Sequence, residues 1–130
     1  MSYCVALQTT GGLLFMADTR TNAGVDNVSV FRKLFTWTRP GERVLVALTS
    51  GNLATTQAVM SLLDERATSP THVHPSILEA SSMFQVARLV GETLREVIQT
   101  STTGGQAAES TFAASIILGG RSPACRRVCF

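Results

Sequence analysis

The spacing of apolar positions along the chain changes period more than once, and each change marks an element. Tyr3 to Gln8 and Leu13 to Asp18 are apolar-rich segments separated by TTGG, which predicts a β-hairpin whose glycines supply the positive φ of a tight turn. The strand pattern begins at once, directly behind Met1 and Ser2. Lys33 to Thr38 and Arg43 to Thr49 flank RPGE and predict a second hairpin, turned at Pro40 and Gly41. Within it VLVAL is apolar at every position, the pattern of a strand covered on both faces.

After Gly51 the period becomes helical. Leu53, Ala54, Ala58, Val59, Leu62 and Leu63 recur at helical steps up to DER, with Ser50 or Asn52 as the cap. SPTHVHP interrupts the chain. SILE then predicts a capping box, Ser76 accepting from the amide of Glu79, at the head of a long amphipathic helix. That helix carries Ile77, Phe84, Ala87, Leu94, Val97 and Ile98 and ends near Gln99. Met60, Met83 and Phe84 lie within helical patterns and are assigned to the core. TSTTGGQAAE reads as a polar loop and TFAASIILGG as a further buried strand, whereas RSPACRRVCF follows neither period.

Composition narrows the class. The 130 residues suit one domain or part of one, and 45% apolar against 15% charged is a globular balance. A net charge of +2, with the basic residues scattered, gives nucleic acid or an acidic membrane surface no footprint. No apolar run reaches the ~20 residues of a membrane span and no signal peptide is evident, so a soluble, cytoplasmic protein is expected. Cys4, Cys125 and Cys129 are an odd set without a CxxC pair, which fits free thiols in a reducing compartment better than disulfides or zinc. His72 and His74 form an H-x-H on a loop, but without a carboxylate pattern beside it they read as solvent-facing. Neither TTGG nor TTGGQ has the strand, lysine and helix of a phosphate loop, so both read as turns.

Candidate chemistry lies at the N-terminus. Removal of Met1 would leave Ser2 with a hydroxyl and a free α-amine, a nucleophile and its base in one residue. An α-amine titrates at about 7.7–8.0, so its neutral form can take the hydroxyl proton during attack on a carbonyl. Lys33 is the cation that would lower the pKa of both groups, and Asp18 would hold Lys33 charged and aimed. Two hairpin registers remain open. A two-residue loop at Thr10 and Gly11 sets Asp18 opposite Tyr3, whereas a bulged three-residue loop sets it opposite Cys4, on the face of Ser2. The mechanism calls for the second register. Gly51, where strand gives way to helix, would offer its amide to a developing oxyanion and let a substrate backbone approach.

MSYCVAL, GLLFMADTRTNAG, FRKL and SGNLATTQ resemble the proteasome β-subunit type of N-terminal nucleophile hydrolase, and in particular the bacterial ancestral β-subunit (Anbu) family. The run from ADTRTNAGVD to FRKL is the most specific part, and the match extends to about SIILGG. The resemblance implies an α+β fold, part of a four-layer αββα sandwich with two β-sheets between helices. It implies a threonine- or serine-type endopeptidase with Ser2, Asp18, Lys33 and Gly51 in the catalytic positions and Thr49 shaping the substrate pocket. It implies no cofactor and no metal, a peptide or protein substrate, and self-association into rings or helical arrays, with no nucleic-acid or membrane partner. Family members continue past ILGG with more strands and helices, including a Ser-Gly turn and an aspartate that support the nucleophile. Residues 1–120 therefore read as the N-terminal half of a peptidase domain, and 121–130 as an atypical tail from a frameshift or truncation. Half a sandwich leaves unpaired edges and an exposed apolar face. The competing readings are a non-catalytic remnant or assembly subunit, which a retained Met1 would favour, and a small unrelated α+β binding module.

Overall fold

The computed structural model describes residues 2–22, 28–69, 73–102, 113–122 and 125–129. Its elements in chain order are β1 (Cys4–Gln8), β2 (Leu13–Ala17), β3 (Arg20–Asn22), β4 (Val28–Val30), β5 (Leu34–Arg39), β6 (Arg43–Gly51), α1 (Leu53–Thr68), α2 (Met83–Thr102), β7 (Ala114–Ser122) and β8 (Cys125–Cys129). β5, β6, β7 and β8 form a four-stranded antiparallel sheet in that order, while β1–β2 and β3–β4 are two-stranded. β3–β4 has no counterpart in the sequence reading.

β6 is the centre of the molecule. Leu45 and Ala47 on one of its faces join Trp37 and Leu118 in a core with Val59, Met60 and Leu63 of α1 and Val86, Val90 and Val97 of α2. Leu48, out of phase with them and so directed to the other face, is also fully buried, and the β1–β2 hairpin meets β6 on that side. VLVAL is thus covered by helices on one face and by the hairpin only around Leu48 on the other, where Val44 is 42% exposed and Val46 half-buried. Helix pair, sheet and hairpin are the layers of an αββ stack, in keeping with the expected sandwich. The hairpin's outward face carries Leu7, Leu14 and Met16 at 50%, 55% and 60% exposure.

The turns and caps have local causes. Arg39-Pro40-Gly41-Glu42 is a turn closed by the Glu42 N–H on the Arg39 carbonyl at 3.0 Å, with Gly41 at φ 77° as a type II turn requires. The TTGG turn works otherwise than expected: neither Gly11 nor Gly12 takes a left-handed φ. Thr9 closes it, its N–H bonding to the Gly12 carbonyl at 2.8 Å and its hydroxyl accepting from the Gly12 N–H at 3.1 Å. Asn52, not Ser50, caps α1 by accepting from the Thr55 N–H at 3.0 Å.

The second helix begins later than its sequence pattern implies. Ser76 Oγ accepts from Leu78, not Glu79, at 3.1 Å, and Ile77–Glu79 is a turn. The reason is Arg43, a buried cation whose guanidinium donates to the carbonyls of Ile77 and Ala80 and to Ser122 Oγ. Those carbonyls would otherwise accept the next helical turn. Burial lowers the Arg43 pKa, so this cation is held by the acceptors around it. Capping passes to Ser82, whose Oγ accepts from the Gln85 N–H at 3.3 Å while Gln85 Oε1 accepts from Ser81 N–H at 3.1 Å. The buried stripe becomes Met83, Val86, Val90, Thr93 and Val97, which leaves Phe84, expected in the core, 68% exposed. Met60 and Met83 are in the core, each 2% exposed. At the C-terminal end Cys125–Cys129 is a strand on β7, correcting the expectation of no regular structure there.

Candidate active site

The β1–β2 pairing aligns Cys4 with Ala17 and Gln8 with Leu13, and the Asp18 N–H continues the ladder onto the Tyr3 carbonyl at 3.0 Å. This is the register with Asp18 opposite Tyr3, the one thought to direct Asp18 away from Ser2. The bulged register, with Asp18 opposite Cys4, is not the one formed. Asp18 lies beyond the end of β2, where its side chain is free of the pleat, and its Oδ1 accepts from the Tyr3 N–H at 2.9 Å. The carboxylate therefore meets the peptide that joins Tyr3 to Ser2.

The same oxygen accepts from Lys33 Nζ at 2.9 Å, and Nζ donates also to the Arg20 carbonyl at 2.6 Å. Lys33 is only 5% exposed, and a buried ammonium persists only with such partners. The Lys33 bond, followed by the Tyr3 amide, holds the Asp18 carboxyl below the usual carboxylate range, although a third of that side chain meets solvent. Arg20 was not foreseen, and no sequence signal marks it, because its contribution is a backbone carbonyl.

Thr49 ties this group to β6. Its N–H donates to the Lys33 carbonyl at 2.9 Å and its hydroxyl to the same oxygen at 3.5 Å. Thr49 is 3% exposed, its hydroxyl turned inward to the Lys33 carbonyl. Cys4 Sγ donates to the Thr49 carbonyl at 3.5 Å. Burial raises the Cys4 thiol pKa against the opposing pull of Lys33.

Gly51 ends β6 at φ 103°, one residue before the cap of α1. A Cβ there would lie 2.6 Å from the Ala113 carbonyl oxygen, so the space a side chain would fill is occupied by the chain itself. The expected opening for a substrate backbone is not on that side. Ser2 is exposed at the head of the first strand. Met1 and His72 lie outside the described residues, as does most of TTGGQ. Tyr3, Asp18, Lys33, Thr49 and Cys4 thus form one connected network at the start of β1, with Gly51 next along β6.

Other groupings are remote from it. His74 is exposed and lines a cleft with Arg66, Glu92, Thr93 and Glu96 between the helices. Arg66 bridges Glu96 and Thr93 there, both at 2.8 Å. Among the described residues no group of three or more His, Cys, Asp or Glu is placed to hold a metal, and no helix is long and apolar enough to cross a membrane.

Solved structures carry the assignment further. An Anbu (ancestral β-subunit) from Yersinia bercovieri is 42% identical with a TM-score of 0.87, over 100% of this chain and 52% of that one. A helical assembly of the Anbu complex from Pseudomonas aeruginosa gives 38% and 0.86 over 99% and 52%. A Gly-1 mutant of Anbu from Hyphomicrobium sp. strain MC1 gives 41% and 0.85 over 100% and 51%. No protein-family model matches the chain, and no curated protein does. The fold is therefore that of the proteasome-like β-subunits. Within that class the chain is similar to the Anbu proteins along its whole length and spans about half the length of the members it matches.

Proposed function

We propose that this chain carries the nucleophile half of a proteasome-type peptidase, with Ser2, freed by removal of Met1, as the attacking residue. The observation that carries this reading is the shared Asp18 oxygen, which binds the amide next to Ser2 and the buried ammonium of Lys33 at 2.9 Å each. An ammonium has three donors, and Asp18 and Arg20 engage two, leaving one for a hydroxyl oxygen among the described residues. Ser2 Oγ attacks the carbonyl carbon of a peptide as its proton passes to the α-amine and the carbonyl electrons move to oxygen, which the Gly51 amide receives. Collapse expels the leaving amine with that proton. Water then hydrolyses the ester on Ser2, and no metal or organic cofactor enters the reaction.

The substrate is a peptide or protein, and Thr49 limits the size of the side chain accepted. We place the protein in the cytoplasm. Self-association belongs to the same reading, since the Pseudomonas aeruginosa relative is a helical assembly. A structural subunit without activity is the alternative. Hydrolysis of an activated peptide ester separates the two. Activity that rises with pH as the α-amine loses its proton, at about pH 7.7–8.0 for an unperturbed amine and lower beside the Lys33 cation, and that Ser2→Ala and Lys33→Ala abolish, supports the peptidase. Equal turnover by wild type and Ser2→Ala contradicts it.

A further inference from the structure

The network around Lys33 ends in a thiol that the proposed chemistry does not use. The Tyr3 N–H is bonded to the Asp18 carboxylate and the Tyr3 carbonyl accepts from the Asp18 N–H, which ties the residue next to Ser2 in place. One residue further on, Cys4 Sγ reaches the Thr49 carbonyl at 3.5 Å. Thr49 is already fixed by its N–H, which binds the Lys33 carbonyl at 2.9 Å. Gly51 follows two positions along β6, held close to β7 by its packing against Ala113.

We propose that Cys4 is a positioning residue, its S–H bond to the Thr49 carbonyl setting the separation between the strand that presents Ser2 and the strand that presents Gly51. The proposal rests on the reading of Ser2 as nucleophile. A nucleophile and an oxyanion donor must bracket one carbonyl carbon, and a shift of about 1 Å in such a pair costs up to about a hundredfold in rate. Ser2 precedes β1 by two residues, and β1 packs on β6 without being a strand of its sheet, so contacts across the layers must hold that distance. A thiol is a weak donor but a compact one. Burial favours its protonated form, the only form that can donate.

Two substitutions separate hydrogen bonding from packing. Cys4→Val fills the space but cannot donate; Cys4→Ser donates but fills less. The full chain is treated with a β-lactone probe over a range of concentrations, acylation of Ser2 is followed by intact mass, and the Ser50 amide proton is recorded by NMR. Ser50 N–H shares its peptide with the Thr49 carbonyl, so a lost bond to that oxygen registers there. Cys4→Val should lower the maximal acylation rate about tenfold at an unchanged half-saturating concentration, with Cys4→Ser within about twofold of wild type. The Ser50 resonance should move in Cys4→Val and return toward its place in Cys4→Ser. The reverse order of rates, or a Ser50 amide unmoved by Cys4→Val, overturns the proposal. A wild-type chain that takes no probe instead refutes the nucleophile reading, and this positioning role with it.

Discussion

Asp18 shows how much one carboxylate can organise at the scale of a residue. Its pKa is lowered in the fold, chiefly by the Lys33 hydrogen bond and then by the Tyr3 amide. A carboxylate with a lowered folded pKa adds stability that is complete above its unfolded value near ~3.9 and is lost as pH falls through the folded value. Asp18→Asn should therefore melt below wild type at neutral pH, and the two melting curves should converge in acid below about pH 4. A gap that stays constant from neutral pH into strong acid would show that charge is not what Asp18 contributes. At Gly51 the strain is conformational: φ 103° and the Ala113 carbonyl leave no room for a Cβ. Gly51→Ala should cost about 1–3 kcal/mol from the backbone alone, read by urea denaturation. These residues were legible from sequence as types at expected places. The Asp18–Lys33 pair was legible too, but the bonds to the Tyr3 amide and the Arg20 carbonyl were not, because Asp18 lies past the end of β2 and Arg20 acts through its backbone.

Among the elements, strands and turns followed their patterns where local chemistry decides, as at Pro40–Gly41 and the Asn52 cap. The head of α2 did not. SILE has the residues of a capping box, but Arg43, distant in sequence, takes the Ile77 and Ala80 carbonyls and delays the helix to Met83. A tertiary contact of that kind leaves no periodic trace, and the displaced start also turns Phe84 outward. Arg43→Met should cost about 3 kcal/mol or more, since it leaves buried acceptors without their donor. Hydrogen exchange should rise in the 76–82 segment before the sheet is affected. Asn52→Ala should cost about 1 kcal/mol, confined to the first turn of α1. Exchange that rises evenly over the whole chain in either variant would contradict these local assignments.

For the whole molecule, α1 and α2 cover one face of the four-stranded sheet, and the hairpin covers part of the other and exposes Leu7, Leu14 and Met16. Apolar side chains so grouped favour association. Leu14→Lys should shift sedimentation toward smaller species at a given concentration while leaving the Asp18–Lys33 pair intact. The most direct test of the central claim is the intact mass of the chain with and without a β-lactone probe, beside Ser2→Ala. The role of Ser2 requires loss of Met1 and one adduct on Ser2, absent from Ser2→Ala. A chain that keeps Met1, or labels equally well without Ser2, would contradict it.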